Sequence, residues 1–321
     1  MKRSLFILVT LLTFRSSVLI AADDMARANS YDDAWELDWI SHCRSVYTAS
    51  GKTDGFVLQV GDSITHAKPY SQWARIGSGK TTDDEAISAW LHASDWGSVA
   101  DDTSIKNGWY LAATDIQSRG MTASSGIDTG EYISGSGNGG TAMPLTTDKA
   151  TALEYVADGN SYPANLQIDT VVAAFDDAVF AVLMLGTNDA SGNTPASTFL
   201  NNLETIIDKL EANNIVVILS TIPPHYARTS LVNTEYNPGI RALAQTKLLP
   251  LIDYEAEILA RRPTDWNGTL LGVDNVHPTA TQGGYTPRAD PYDPGGDAAS
   301  HTTGEAAENS GYLLRSWLTI Q

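Results

Sequence analysis

The chain has 321 residues, 42% of them apolar and 18% charged. That composition excludes a disordered polymer and suffices for a full hydrophobic core. Its 38 acidic against 20 basic side chains give a formal net charge of −18, which repels phosphate backbones and anionic lipid, so no nucleic-acid partner is expected. The single cysteine, Cys43, excludes an intramolecular disulfide framework and any cysteine-rich zinc module.

Taken in chain order, the N-terminus begins Met1-Lys2-Arg3 and continues into an apolar run from Leu5 to Leu12. A short basic head before an apolar stretch is the layout of a secretory signal, here residues 1–22, which implies a secreted or periplasmic protein. The run is shorter than the ~20 residues of a membrane span, so none is expected once the signal is removed. Residues 23–54 are read as a helical extension and 55–321 as one domain. Phe56 to Val60 is a short strand. Ala178 to Leu185 is nearly all apolar, as expected of a strand covered on both faces. Ile215 to Leu219 and Leu249 to Ile252 follow the same pattern. Between the second and third strands, Phe199, Leu203, Ile206, Ile207 and Leu210 form one face of a helix, with Thr194 as its expected cap, Pro195 in its first turn and Asn213-Asn214 at its end. A last helix is expected over Glu305 to Leu318. Strands alternating with helices predict an α/β fold, a mostly parallel sheet between helical layers, with chemistry at the carboxyl ends of the strands.

Two insertions interrupt this order. Residues 67–110 carry Trp73, Trp90, Trp96 and Trp109, four of the eight tryptophans, and Tyr110. Residues 280–304 are rich in Gly, Pro, Asp and Thr and read as a long loop.

Three short segments stand where chemistry is expected. The first strand runs into Gly61-Asp62-Ser63-Ile64, which exposes a serine at a strand end and helix start. Taken alone, Ser63 is equally an ordinary helix N-cap. The second long strand ends in Gly186-Thr187-Asn188-Asp189, where Asn188 can offer an amide N–H to an oxyanion, or simply form a turn. Near the C-terminus comes Asp274-Asn275-Val276-His277-Pro278. An aspartate three residues before a histidine can reach its Nδ1–H and leave Nε2 free to take a serine proton; an incidental surface ion pair is the plainer reading.

Together the three segments resemble the SGNH hydrolases, the GDSL esterase/lipase superfamily. The resemblance spans about residues 55–320. Gly61-Asp62-Ser63-Ile64 matches the first block of that family, Gly186-Thr187-Asn188-Asp189 its GxND block and Asp274-Asn275-Val276-His277 its DxxH block. Arg119-Gly120-Met121-Thr122 fits the remaining block, with Gly126 a weaker candidate. The resemblance implies a three-layer α/β/α sandwich of flavodoxin-like SGNH type. It implies Ser63 as nucleophile, His277 as general base and then acid, and Asp274 as its orienting partner. The oxyanion hole would be the backbone N–H groups of Ser63 and Gly120 and the side-chain amide of Asn188. No cofactor or metal is implied.

The implied substrate is a small acyl ester, with an acetylated glycan favoured because aromatic faces suit sugar rings. Trp73, Trp96, His66 and His225 are the candidate substrate contacts, though the tryptophans could equally form a small core of the insertion. A lipase or arylesterase is the alternative within the class, and a catalytically silent carbohydrate-binding protein the alternative outside it. Competing motifs are weak. G-x-S-x-G is absent. Ala74 to Thr81 resembles a phosphate loop but follows no apolar strand. Asp290, Asp293 and Asp297 read as a solvated acidic loop, with calcium binding the less favoured alternative.

Overall fold

The structure, a computed structural model, describes residues 33–52, 57–66, 70, 81–90, 122–124, 126–135, 166–176, 178–272, 274, 276–279 and 310–320. The signal region, Gly120, Trp73, Trp96, Trp109, Tyr110, the 280–304 loop with its three aspartates, and residues 305–309 lie outside them.

The sheet has four parallel strands among the described residues: β1 (Val57–Gly61), β2 (Phe180–Met184), β3 (Val216–Ser220) and β4 (Leu251–Ile252), side by side in that order. Every residue of β1 is buried. Successive side chains of a strand point to opposite faces, so both faces of β1 are covered, and its run is apolar but for the buried Gln59.

Helices fill the intervals: α1 (Asp33–Ser50), α2 (from Ser63, described to His66), α3 (Thr82–Trp90), α4 (Thr129–Ser134), α5 (Ile168–Ala174), α6 (Thr187–Ser191), α7 (Ala196–Ala212), α8 (Asn237–Lys247), α9 (Tyr254–Arg261) and α10 (Gly311–Ile320). The crossovers advance across the sheet in one direction, and right-handed crossovers place their helices on one face. Accordingly α7 packs on both α5 and α8. Phe199, Leu203, Ile206, Ile207 and Leu210 of α7 are all buried, each worth ~1.5–3 kcal/mol.

The start of α7 differs from expectation. Pro195, not Thr194, occupies its N-cap position, with no side-chain cap. Thr194 is engaged elsewhere: its N–H donates to Asp189 O at 2.9 Å and its carbonyl accepts from the Tyr236 hydroxyl at 2.5 Å. The last helix is described from Gly311 and runs to Ile320, two residues beyond the expected Leu318; Ser310 Oγ accepts from Leu313 N at its start.

Candidate active site

Register places the first two motifs together. Gly61 pairs with Met184 at the carboxyl ends of β1 and β2, so Ser63 and Asn188 leave the same edge of the sheet a few residues later. Gly61 is required there by close approach, since a Cβ would lie 2.0 Å from Thr65 Oγ1 and 2.8 Å from Met184 O. The turn that follows is closed by Asp62, whose Oδ1 accepts from Ile64 N at 2.9 Å and whose carbonyl accepts from Thr65 N at 3.1 Å.

Ser63 Oγ lies 2.8 Å from His277 Nε2, and His277 Nδ1 lies 2.6 Å from Asp274 Oδ2. The other oxygen of Asp274 accepts from the backbone N–H of His277 at 3.0 Å and of Val276 at 3.1 Å. Burial pushes the Asp274 carboxyl up, but the hydrogen bonds from the His277 side chain and these two N–H groups outweigh it and hold the carboxyl below its ordinary value. An ionised carboxylate only accepts, so Nδ1 carries the imidazole proton and the Nε2 lone pair faces the serine.

The loop bearing this pair is pinned on both sides. Gly272 N donates to His277 O at 2.8 Å, and Thr279 N to Leu270 O at 2.9 Å. Thr279 also receives the start of α10, since its carbonyl accepts from Tyr312 N at 3.1 Å and its hydroxyl oxygen from Gly311 N at 3.2 Å.

Asn188 Nδ2 donates to Ile127 O at 2.8 Å. That bond uses one amide proton, fixes which end of the amide is nitrogen, and leaves the second proton to donate. Gly120 is outside the described residues, but the chain just after it runs beside β1: Ser124 N donates to Gly61 O at 3.1 Å and Thr122 Oγ1 to Gln59 O at 2.9 Å.

Two residues here were not singled out in the sequence. Asp189 takes both the hydroxyl of Thr129, at 2.6 Å, and its N–H, at 3.1 Å. Burial pushes its carboxyl up to about 6, against the pull of those bonds. Tyr132 of α4 sits behind the nucleophile strand. Its hydroxyl accepts from Gly61 N at 3.2 Å and lies 2.5 Å from Thr122 O and 3.0 Å from Gly61 O, either of which can take its proton. Asp189 stood in view beside Asn188, whereas nothing in the local pattern marks Tyr132.

His225 is one of the expected substrate contacts. It is buried, with Nε2 3.2 Å from Ser191 Oγ, and burial followed by the Arg228 charge pulls it below the ordinary histidine value. The loop leading to it is folded inward by Asn237, whose side chain both accepts from Ile222 N and donates to Ile222 O, at 3.0 and 2.9 Å. His66 falls in α2, and its side chain lies outside the described residues. Among the described residues no group of three or more His, Cys, Asp or Glu could hold a metal ion.

Residues 136–282 match the GDSL-like Lipase/Acylhydrolase family. That stretch of the chain is similar to the GDSL-like lipases and acylhydrolases. It holds Asn188, Asp274 and His277, while Ser63 precedes it and is joined to it by the contact with His277. No curated protein matches the chain. Similar solved structures include a putative lipolytic protein of the G-D-S-L family from Desulfitobacterium hafniense, at 14% identity and TM-score 0.39, covering 83% of this chain and 98% of that one. The psychrotrophic esterase EstA from Pseudoalteromonas sp. aligns at 14% identity and TM-score 0.37, covering 71% and 89%. A catalytic mutant of Axe2, an acetylxylan esterase from Geobacillus stearothermophilus, aligns at 14% and 0.36, covering 82% and 92%. Similarity at this level does not bear on substrate.

Proposed function

We propose that this protein is an exported serine esterase of the SGNH type that removes a small acyl group, favoured as acetyl, from a carbohydrate. The observation that carries the chemistry is the unbroken line Ser63 Oγ, His277 and Asp274, with steps of 2.8 and 2.6 Å. His277 Nε2 takes the Ser63 proton as Oγ attacks the ester carbonyl. The tetrahedral oxyanion is received by the N–H groups of Ser63 and Gly120 and by the free amide proton of Asn188. His277 then protonates the departing alcohol, leaving an acyl-enzyme. Water, deprotonated by the same imidazole, releases the carboxylic acid and restores Ser63. Asp274 stays ionised throughout and stabilises the imidazolium.

Export is supported by the basic head and apolar run of residues 1–22. The choice of a glycan rests on the aromatic insertion at 67–110, whose tryptophans offer flat apolar faces. The test is acetate release from a panel of acetylated polysaccharides, set against hydrolysis of p-nitrophenyl acetate and octanoate. A preference for octanoate with no acetate released from any glycan would reject the carbohydrate reading in favour of a lipase or arylesterase. An organophosphonate is expected to label Ser63 alone, and His277→Ala to be inactive at every pH. Labelling of another serine would reject the nucleophile assignment.

A further inference from the structure

Behind the nucleophile turn lies a cation that the chemistry above does not use. Arg315 belongs to α10, where it is the single charge in Tyr312-Leu-Leu-Arg-Ser-Trp-Leu318. It is only 1% exposed. Its Nη2 donates to Thr65 Oγ1 at 2.8 Å, and its guanidinium carbon sits 3.8 Å from the centroid of the Tyr70 ring. Its Nη1 has no hydrogen-bond partner. A buried guanidinium held by one hydrogen bond and one ring face needs a counter-charge.

The Arg315 charge acts on three fully buried groups: Asp62, Tyr70 and Tyr254. Burial pushes both tyrosines up. Asp62 is buried, and its Oδ2 lies near the Thr187 hydroxyl without completing a hydrogen bond to it. Burial pushes this carboxyl up on balance, against the opposing pull of the Ile64 N–H and then Arg315. Asp62 and Thr65 bracket Ser63 in one turn, and the Thr65 N–H closes that turn on the Asp62 carbonyl. The cation therefore grips the turn through the residue that closes it.

We propose that Arg315 is a positioning residue for the nucleophile: from the last helix, its buried guanidinium holds the Thr65 hydroxyl and with it the turn that Thr65 N closes on the Asp62 carbonyl, and so fixes the direction of Ser63 Oγ toward His277. This rests on Ser63 being the nucleophile. The arrangement predicts a loss in the chemical step, since a displaced Oγ lowers the fraction of enzyme ready to attack without altering how substrate binds.

The experiment compares Arg315→Gln, Arg315→Lys, Thr65→Val, Thr65→Ser and the double variant Arg315→Gln/Thr65→Val in the full chain. Steady-state hydrolysis of p-nitrophenyl acetate, the rate of Ser63 phosphonylation by an organophosphonate, and Tm are measured for each. Arg315→Gln and Thr65→Val are expected to lower kcat by about 10- to 100-fold, with KM changed less than about 2-fold and phosphonylation slowed in proportion. Thr65→Ser keeps the hydroxyl and stays near the parent enzyme, and Arg315→Lys keeps the charge and falls between parent and Arg315→Gln. The double variant is no slower than the worse single one, because both changes break the same link. Leu314→Val, a packing change on the same helix, is expected to lower Tm while sparing kcat. If Arg315→Gln fails to fold, Thr65→Val and Thr65→Ser still decide the matter. Retention of kcat and phosphonylation rate in Thr65→Val overturns the inference, as does multiplication of the two losses in the double variant. An unsubstituted enzyme whose Ser63 does not react would instead overturn the nucleophile reading, and the positioning role with it.

Discussion

Asp189 and Thr129 are joined twice, hydroxyl to one carboxylate oxygen at 2.6 Å and N–H to the other at 3.1 Å. This clasp ties the GxND turn to the start of α4, and the same loop supplies the Ile127 carbonyl that orients Asn188. The side chain next to Asn188 thus holds the backbone on which the Asn188 amide leans.

The clasp has a pH signature. Burial raises Asp189 to about 6, above the ~3.9 of an unfolded aspartate. A raised value means that the folded protein binds the proton more tightly. The Asp189 contribution to stability is therefore complete below about pH 4 and lost as pH rises through about 6. Thermal melts from pH 4 to 7 are expected to show Asp189→Asn losing less Tm with rising pH than the parent protein. Parallel curves for the two proteins would contradict this.

Asn188→Ala removes a donor that acts on the tetrahedral oxygen more than on the ground-state carbonyl. It is expected to lower kcat by ~10²–10³ with a smaller change in KM. A defect confined to KM would place Asn188 in substrate binding.

Gly61→Ala puts a methyl group where Thr65 Oγ1 already stands. The substitution is expected to abolish activity and to lower Tm by more than Gly51→Ala does. At Gly51 a Cβ meets nothing, and the only strain is a φ of +66°, worth ~1–2 kcal/mol. Equal Tm losses at the two sites would show that the nucleophile turn adapts to the intrusion.

Trp73→Ala or Trp96→Ala is expected to lower kcat/KM on an acetylated oligosaccharide several-fold and to leave p-nitrophenyl acetate hydrolysis nearly unchanged. The small ester needs only the triad and the oxyanion donors. A parallel fall on both substrates would make these tryptophans packing residues of the insertion.

The strands of the sheet were readable because burial on both faces leaves little but apolar residues, as in Phe180 to Met184. Ser63, Asn188, Asp274 and His277 were legible as candidates because each sits in a short motif, and the structure brings Ser63, His277 and Asp274 within hydrogen-bond reach of one another. What escaped were residues whose role depends on distant partners. Thr194 has the chemistry of a cap but is already bonded to Asp189 and Tyr236. Arg315 meets Thr65 across a separation of 250 residues, and only a lone charge within an apolar helix hints at it.

The attachment of the His277 loop to the first turn of α10 through Thr279 has a bearing on how the enzyme is made. A ribosome delivers Ser63 early and the two strands that flank β2 well before the end, so much of the sheet can assemble while synthesis continues. The imidazole that activates the serine arrives 214 residues after it, and the contacts that hold its loop come from Gly311 and Tyr312, later still. A nascent chain therefore carries Ser63 without its proposed base until the first turn of α10 has emerged and can hold the His277 loop.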